Sequence, residues 1–159
     1  MKVKGIIDED FVNYKKPSMV IMSSTCSFKC DKESGMQVCQ NGALATAPNI
    51  NMGTHSLIYR YLNNKITKAI VFAGLEPLDQ FEEVVGFIAA LRNEYKCGDD
   101  IVIYTGYNID EVAQKVLKLR EFPNIIVKFG RFVPDKPKHH DSTLGVDLAS
   151  PNQYAEAIS

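Results

Sequence analysis

The segment most informative about the fold is KAIVFAGLEPLDQFEEVVGFIAALRNEYKCGDDIVIYTG, residues Lys68–Gly106. It begins with a continuous apolar run, Lys68–Gly74, and ends with a second one, Asp100–Gly106. Such runs are typical of strands that are buried on both faces of a parallel sheet. Between them, apolar residues recur at helical spacing: Leu78, Phe81, Val84, Val85, Ile88, Leu91 and Tyr95. The stretch therefore predicts a strand, a helix that Cys97 and Gly98 terminate, and a second, parallel strand.

The same alternation of strand and helix extends along the chain in both directions. A short apolar run at Ser18–Thr25 predicts a strand before this stretch, and Asn124–Gly130 predicts one after it. Helical spacing predicts a short helix over Thr54–Asn64, with its first residue as the N-cap, and a longer helix over Asn108–Phe122. This order of elements predicts an α/β protein with a mainly parallel sheet.

The carboxyl ends of the predicted strands meet at one edge of the sheet, because right-handed crossovers return every parallel strand in the same direction. Ligands of α/β proteins bind at that edge. The segments that lie there are Thr25–Cys26, Gly74–Glu76, Thr105–Tyr107 and Gly130–Arg131. We therefore expect the functional site at this edge, although Gly74 and Gly106 also suit ordinary strand-to-helix turns. Arg131 suits either binding of a carboxylate or exposure to solvent, and we favour solvent.

Length and composition are those of one globular domain. The chain has 159 residues, of which 45% are hydrophobic and 23% charged, so a single domain over residues 1–159 is expected. A net charge of −1 and the lack of a dense basic run argue against a nucleic-acid partner. Nothing resembles a signal peptide or the roughly 18 apolar residues of a membrane span, so we predict a cytoplasmic protein. Residues 131–159 are predicted to form an extended C-terminal cover with little regular structure.

Three of the four cysteines lie in one polar segment, TCSFKCDKESGMQVCQN, residues 25–41. In the cytoplasm such a cluster favours a metal site or catalytic chemistry over a disulfide. Cys26, Cys30 and Cys39 are one ligand short of a closed zinc site, and Cys97 is predicted to lie at the opposite end of the strands. Three thiolates do suit a [4Fe–4S] cluster that leaves one iron open to a ligand. Zinc binding and three unrelated loop cysteines remain as alternatives.

The long gap between Cys30 and Cys39 does not prevent metal binding. Lengthening a flexible segment from three residues to nine costs roughly 1 kcal/mol in closure entropy. Binding of a metal by thiolates is worth on the order of 10 kcal/mol. The gap therefore makes the cysteine spacing a less specific sign of a metal site, but it lowers the expected affinity for a metal only slightly.

Together with the cysteine segment, AGLEP at Ala73–Pro77 resembles the two signature motifs of the radical S-adenosylmethionine superfamily. Within the superfamily, the chain most resembles the activating proteins of anaerobic ribonucleoside-triphosphate reductase. The segments that carry this resemblance are DFVNY (Asp10–Tyr14), CQN (Cys39–Asn41), YTGY (Tyr104–Tyr107), FGRF (Phe129–Phe132) and SPNQ (Ser150–Gln153). Their order along nearly the whole chain matters more than any one of them. The sequence departs from the pattern in its longer second cysteine spacing and in Leu75, which replaces a glycine.

The resemblance implies a fold, two cofactors and a reaction. The fold would be a small open partial (β/α) barrel of mainly parallel strands. Cys26, Cys30 and Cys39 would ligate a [4Fe–4S] cluster, and S-adenosylmethionine would bind its open iron. The residues implied in binding S-adenosylmethionine are Val38, Gly74, Glu76, Thr105, Tyr107, Asn152 and Gln153. The protein would cleave this cofactor reductively and abstract hydrogen from a glycine of the partner reductase, using an electron donor such as flavodoxin.

Two other functions suit the same residues. One is a radical S-adenosylmethionine enzyme that acts on another small molecule, peptide or nucleotide; the other is a zinc-stabilised binding module without turnover. Some residues also have simpler interpretations. Glu76 suits a helix N-terminus, Cys97 is expected to take no part in the site, and His139 and His140 are expected to be polar loop residues.

Overall fold

The predicted alternation of strands and helices is present in the structure, a computed structural model that describes residues 1–159. The strands are Lys2–Asp10 (β1), Ser18–Ser23 (β2), Ile50–Asn51 (β3), Ala69–Gly74 (β4), Asp100–Tyr104 (β5), Ile125–Phe129 (β6), His139–Asp141 (β7), Val146–Leu148 (β8) and Tyr154–Ala157 (β9). The α-helices are Lys29–Ser34 (α1), Gly42–Thr46 (α2), Thr54–Asn63 (α3), Phe81–Asn93 (α4) and Ala113–Leu119 (α5). Two 3-10 helices, Pro77–Gln80 and Ile109–Val112, lead directly into α4 and α5.

Four parallel strands form the centre of the sheet, in the order β2-β4-β5-β6. Their apolar residues are aligned across the sheet, with Val20 opposite Val71, which in turn lies opposite Val102. The row continues to Ile126 on β6. Branched side chains pack well on such a pleated surface. The predicted α/β class and the four predicted parallel strands are therefore confirmed.

Antiparallel strands flank this parallel centre on both sides. β1 pairs with β2, β3 with β1, and β9 with β6, which gives the order β3-β1-β2-β4-β5-β6-β9. The sheet is open, because its outer strands β3 and β9 do not pair with each other. The sequence does not predict the flanking strands, since β1 (KVKGIIDED) and β9 (YAEA) mix charged and apolar residues and lie at the partly exposed sides of the sheet.

Different parts of the chain cover the two faces of the sheet. Helices α3, α4 and α5 pack on one face, and their core includes Leu57, Phe72 and Phe87. On the other face, Leu144 and Leu148 from the C-terminal residues join the apolar residues of β4 and β5. Residues 131–159 contain the β7–β8 hairpin and strand β9, so they hold more regular structure than their prolines indicate.

The predicted helices are present with changed boundaries. Val84, Ile88 and Leu91 of α4 are fully buried, as their spacing predicts, and Phe87 joins them. The N-cap position of α3 is Gly53 rather than Thr54, which is the first helical residue. Every helix is too short or too polar to span a lipid bilayer.

The predicted helix over 108–122 is shorter than its periodicity indicates. Its first turn is the 3-10 helix Ile109–Val112, and α5 ends at Leu119. The Asn108 N–H donates to Glu111 Oε2 at 2.8 Å, which fixes the first turn. A proline restricts the residue before it to extended conformations, so Pro123 favours an early end to the helix.

Candidate metal centre

The loop that carries Cys26 begins where β2 ends. The Ser27 N–H donates to Asp79 Oδ2 at 2.7 Å, and the Phe28 N–H donates to Cys26 Sγ at 3.2 Å. Phe28 adopts a left-handed backbone conformation, with φ of 52°, immediately before α1. These contacts hold the half-buried Cys26 thiol at the predicted edge of the sheet.

Cys30 lies on α1 and approaches the turn that follows β5. Its Sγ is 3.5 Å from the position that a Cβ of Gly106 would occupy, and Glu76 Oε2 is 3.6 Å from the same position. The absence of a side chain at Gly106 therefore lets Cys30 and Glu76 converge on one turn. Burial raises the pKa of the Cys30 thiol, while the backbone amide of Phe132 and the charge of Arg131 act in the opposite direction.

Cys39 returns to the site because Asp31 closes the loop between the second and third cysteines. The Asp31 Oδ1 atom accepts hydrogen bonds from the N–H groups of Val38 and Cys39, both at 2.8 Å. Gly35, with φ of 70°, ends α1 and reverses the chain before these residues. Since Asp31 follows Cys30 directly, the carboxylate brings the third cysteine back toward the second. The long spacing is therefore folded into a compact loop.

Burial and negative charge act on two thiols of this loop. Burial raises the pKa of Cys26 to about 11, and negative charge on Glu76, Asp79 and Cys39 adds to this increase. Negative charge on Cys39 also raises the pKa of Cys30. Mutual repulsion of this kind favours a bound cation, which stabilises all three thiolates together.

The thiols of this loop suit an iron–sulfur cluster by their chemistry. All four cysteines are free, so there is no disulfide. No three Cys, His, Asp or Glu side chains are close enough together to share one metal ion. Thiolate sulfur is the usual ligand of such clusters.

Glu76 joins the ends of three strands. It is buried, its N–H donates to Thr25 O at 2.8 Å, and its Oε1 accepts from Leu78 N–H at 3.0 Å. Its Oε2 accepts from Gly106 N–H at 2.9 Å. Burial raises the pKa of the carboxyl group, and these amide donors oppose the rise. The simpler interpretation of Glu76 as an N-terminal cap is confirmed, and the same carboxylate lies beside Cys30.

Thr105 and Tyr107 support the cysteine loop through hydrogen bonds. Thr105 Oγ1 accepts from the Tyr107 N–H at 3.0 Å. The Tyr107 hydroxyl donates to Asp79 Oδ1 at 2.6 Å and lies 3.1 Å from Ser27 Oγ. Burial and the Asp79 carboxylate raise the pKa of Tyr107 to about 12, so the hydroxyl stays protonated. Tyr107 therefore braces the loop beside Cys26.

The remaining predicted site residues lie at the same edge in two groups. Val38 is half-buried next to Cys39. Gly74 has φ of 88°, and its carbonyl accepts from Asn41 Nδ2 at 2.8 Å, which ties the cysteine loop to the end of β4. At the other end of the edge, Asn152 and Gln153 support the end of β6.

The contacts of Asn152 and Gln153 are structural. Asn152 Nδ2 donates to Arg131 O at 2.7 Å. Gln153 Oε1 accepts from Ala149 N–H at 3.1 Å and from Ser150 N–H at 3.2 Å. These contacts dock the C-terminal residues on the turn after β6. A direct contact of either side chain with a cofactor stays a prediction.

Of the two interpretations of Arg131, exposure to solvent is wrong and binding of a carboxylate is confirmed. Its side chain is buried, and its guanidinium donates to both oxygens of Glu111, at 2.7 and 2.6 Å. It also forms an ion pair with Glu33 at 3.0 Å, and Lys29 Nζ lies 3.0 Å from Glu111. Because Lys29 and Glu33 flank Cys30 on α1, this network fixes the helix that carries the thiol. Arg131 lowers the pKa of Glu111 to about 2 and keeps it charged.

The sequence does not predict several residues that support the site, because their contact partners are distant in the chain. Asp79 and Glu111 contact the cysteine loop across more than fifty residues of sequence. Asp31 does carry a local signal, since it is an acidic residue directly after a candidate ligand. Both histidines lie on strand β7 rather than in the predicted loop. His140 Nδ1 lies 3.1 Å from Asp147 Oδ1 across the β7–β8 hairpin.

Replacing Asp31 by alanine is expected to weaken binding of the cluster by about 10–100-fold, the usual effect of losing a residue that supports metal ligands. The amides of Val38 and Cys39 lose their shared acceptor, so the third cysteine is no longer held near Cys30. The measurement is the rate of iron loss to a chelator after anaerobic reconstitution. Asp31→Asn, which keeps an oxygen acceptor, is the matched control and should lose iron much more slowly. Equal retention by Asp31→Ala and the wild type would contradict this role.

Comparison with known proteins adds one finding. The profile of a protein family described as "4Fe-4S single cluster domain" matches residues 17–150, which include the cysteine loop and all four parallel strands. No curated protein and no solved structure matches the chain significantly. The match supports the [4Fe–4S] cluster that the three-cysteine loop predicts.

Proposed function

The chain belongs to the family of 4Fe-4S single cluster domains, and from this premise we propose that it is a radical S-adenosylmethionine enzyme that activates a glycyl-radical reductase. The observation that carries the proposal is the meeting of the three-cysteine loop with Glu76 and Gly106 at one edge of a parallel sheet. An iron–sulfur cofactor is compatible with a redox enzyme. The choice of S-adenosylmethionine and of the reductase rests on the resemblance of the sequence to that superfamily.

The number of cysteines in the loop supports a cluster in which one iron has no protein ligand. Cys26, Cys30 and Cys39 are the three ligands in this proposal. Cys97 lies between α4 and β5, so it is at the amino ends of the parallel strands, opposite the loop. A cubane takes four ligands when the protein supplies all of them. One iron is therefore left for the amino and carboxylate groups of S-adenosylmethionine.

When bound, the cluster would supply the electron for reductive cleavage of a carbon–sulfur bond of S-adenosylmethionine, the chemistry by which hydrogen would be taken from a glycine of the partner. The protein residues bind and orient this cofactor. Glu76 accepts amide hydrogen bonds on both carboxylate oxygens and also interacts with the Thr105 hydroxyl. A carboxylate has about four acceptor positions, so capacity remains for the methionine ammonium group. Gly74 and Gly106 allow close approach of the backbone. Val38 provides apolar cover beside Cys39.

A protein substrate suits the exposure of the site. Residues 32–37 of the cysteine loop are exposed, and so is Thr25 at the end of β2. A partner can therefore reach this edge from outside the domain. In this proposal the partner is an anaerobic ribonucleoside-triphosphate reductase, and the electron comes from a donor such as flavodoxin.

The test is anaerobic reconstitution with iron and sulfide, followed by electron paramagnetic resonance of the reduced protein with and without S-adenosylmethionine. We expect the signal of a reduced cubane that changes when S-adenosylmethionine is added. A signal that S-adenosylmethionine leaves unchanged would contradict the choice of cofactor. Retention of zinc in place of a cluster would exclude the radical mechanism and favour a binding module.

The products of the reaction then identify the molecule on which the radical acts. Incubation with the reductase and a reductant should give 5′-deoxyadenosine and a glycyl-radical signal on the reductase. Cleavage of S-adenosylmethionine that transfers no radical to the reductase would assign the protein to another class of target, such as a small molecule, peptide or nucleotide. The Cys97→Ser variant serves as the positive control, because Cys97 lies away from the proposed ligands.

A further inference from the structure

Lys128 is a buried lysine that lacks a carboxylate partner. It lies on β6, where its side chain is only 6% exposed. Its Nζ donates to Gly130 O at 2.8 Å, and this carbonyl is the only acceptor within hydrogen-bond distance. No ion pair of the protein includes Lys128. An ammonium group carries three donors and a full positive charge, so most of its bonding capacity is unused.

The end of β6 places this ammonium group at the edge of the candidate metal centre. The Thr105 N–H donates to Lys128 O at 2.8 Å, and the Gly130 N–H donates to Tyr107 O at 3.0 Å. These two bonds fix the end of β6 against the turn that contains Gly106. The Cys30 Sγ atom contacts the same turn.

Two negative groups act on Lys128, namely Glu76 and the thiolate form of Cys30. Each of them raises the pKa of Lys128, but burial has the larger effect and lowers it to about 8. Glu76 does not compensate the charge of Lys128 directly, since its oxygens bind the amides of Leu78 and Gly106. The ammonium group is therefore held in an environment that disfavours its charge.

Arg131, the other buried cation at this edge, differs from Lys128. The Arg131 guanidinium is paired with two carboxylates, those of Glu111 and Glu33. Its charge is therefore largely cancelled, whereas that of Lys128 is not. Burial of an unpaired ammonium group destabilises a fold, and an apolar side chain of similar volume would avoid this cost. The position of Lys128 is explained if a negative group binds beside it.

We propose that Lys128 provides the counter-charge of the cluster site and sets the reduction potential of the bound cluster. A [4Fe–4S] cluster with three thiolate ligands is negative overall when oxidised, and it gains a further negative charge when one electron enters. A fixed cation nearby stabilises the reduced form more than the oxidised form. This inference rests on the proposed cluster site and adds the residue that tunes it.

The experiment compares the midpoint potential of the reconstituted cluster in the wild type, Lys128→Gln, Lys128→Met and Lys128→Arg, by redox titration followed by electron paramagnetic resonance. Glutamine keeps a donor for Gly130 O without the charge, and methionine removes both. We expect both neutral variants to be harder to reduce, with the equilibrium constant for reduction at least tenfold lower, which is about 59 mV for a one-electron couple. The arginine variant, which keeps the charge, should stay close to the wild type.

The possible results separate this inference from the proposed function. Neutral variants with an unchanged potential, in a wild type that carries the cluster, would overturn the role of Lys128 and leave the cluster site intact. A shift in Lys128→Arg as large as that in Lys128→Gln would also overturn it, since packing rather than charge would then be responsible. A wild type that assembles no cluster would contradict the proposed function itself, and the role of Lys128 with it.

Discussion

Serine in place of any one of Cys26, Cys30 or Cys39 is expected to remove most of the cluster from the reconstituted protein. The thiolate is the ligand of iron, and a serine hydroxyl stays protonated near neutral pH. Since the proposed site takes only three ligands from the protein, loss of one leaves two. We expect a larger effect than the ~10–100-fold that changes to supporting residues cost. Iron and sulfide per chain, measured after anaerobic reconstitution, give the result.

Cys97→Ser is the matched control for these variants. Cys97 is also half-buried and free, but it lies at the opposite end of the parallel strands. This variant should keep the full iron content. Circular dichroism should show that all four variants are folded. Full iron content in a loop variant would remove that cysteine from the ligand set, and loss of iron in Cys97→Ser would add Cys97 to it.

Alanine at Gly130 is expected to destabilise the fold by about 2–6 kcal/mol, since two separate effects of roughly 1–3 kcal/mol each add together. Gly130 has φ of 95°, which residues with a side chain rarely adopt. A Cβ there would lie 2.6 Å from Asn152 O and 3.1 Å from the Cα of Gln153. Both neighbours are backbone atoms that cannot move aside independently. Thermal unfolding followed by circular dichroism measures the loss.

Gly86→Ala is the control, because alanine is expected to increase stability at this position. Gly86 is exposed in the middle of α4, and a Cβ there meets no atom within 4 Å. Alanine is the better helix former, so this variant should be more stable than the wild type by about 0.5–1 kcal/mol. If Gly130→Ala unfolded at the same temperature as the wild type, the C-terminal residues would not be docked at Gly130 as the structure shows.

Local sequence patterns predict those parts of the fold that are buried on both sides. The runs that became β2, β4, β5 and β6 are continuous and apolar, because each of these central strands has a covered sheet face on either side. Helix α4 is predicted because one of its faces packs on that sheet, which gives its apolar residues a helical spacing. The flanking strand β1 lacks such a signal. It mixes lysine, isoleucine and acidic residues, and its pairing with β2 depends on a neighbour rather than on its own composition.

The candidate site divides in the same way. Residue type and position in sequence predict that Cys26, Cys30 and Cys39 are metal ligands and that Glu76 lies near them. They do not predict what holds these residues in place. The closing contact of Asp31 spans seven and eight residues, whereas the contact between Lys29 and Glu111 spans 82. Arg131 is buried because it binds Glu111, the same residue that Lys29 contacts. This partner is distant in the sequence, which is why the favoured location of Arg131 is wrong.

Hydrophobic periodicity and side-chain chemistry suffice to predict the order of the four parallel strands and the three longer helices, the edge at which their turns meet and the three thiols available to a cluster. The tertiary structure alone decided the antiparallel flanks, the network that fixes α1 and the burial of Lys128 without a carboxylate partner. These features depend on the distance between groups that are far apart in the chain. Ion pairs, burial and hydrogen bonds all require these groups to be close together in space. The groups come close together only when the sheet has formed.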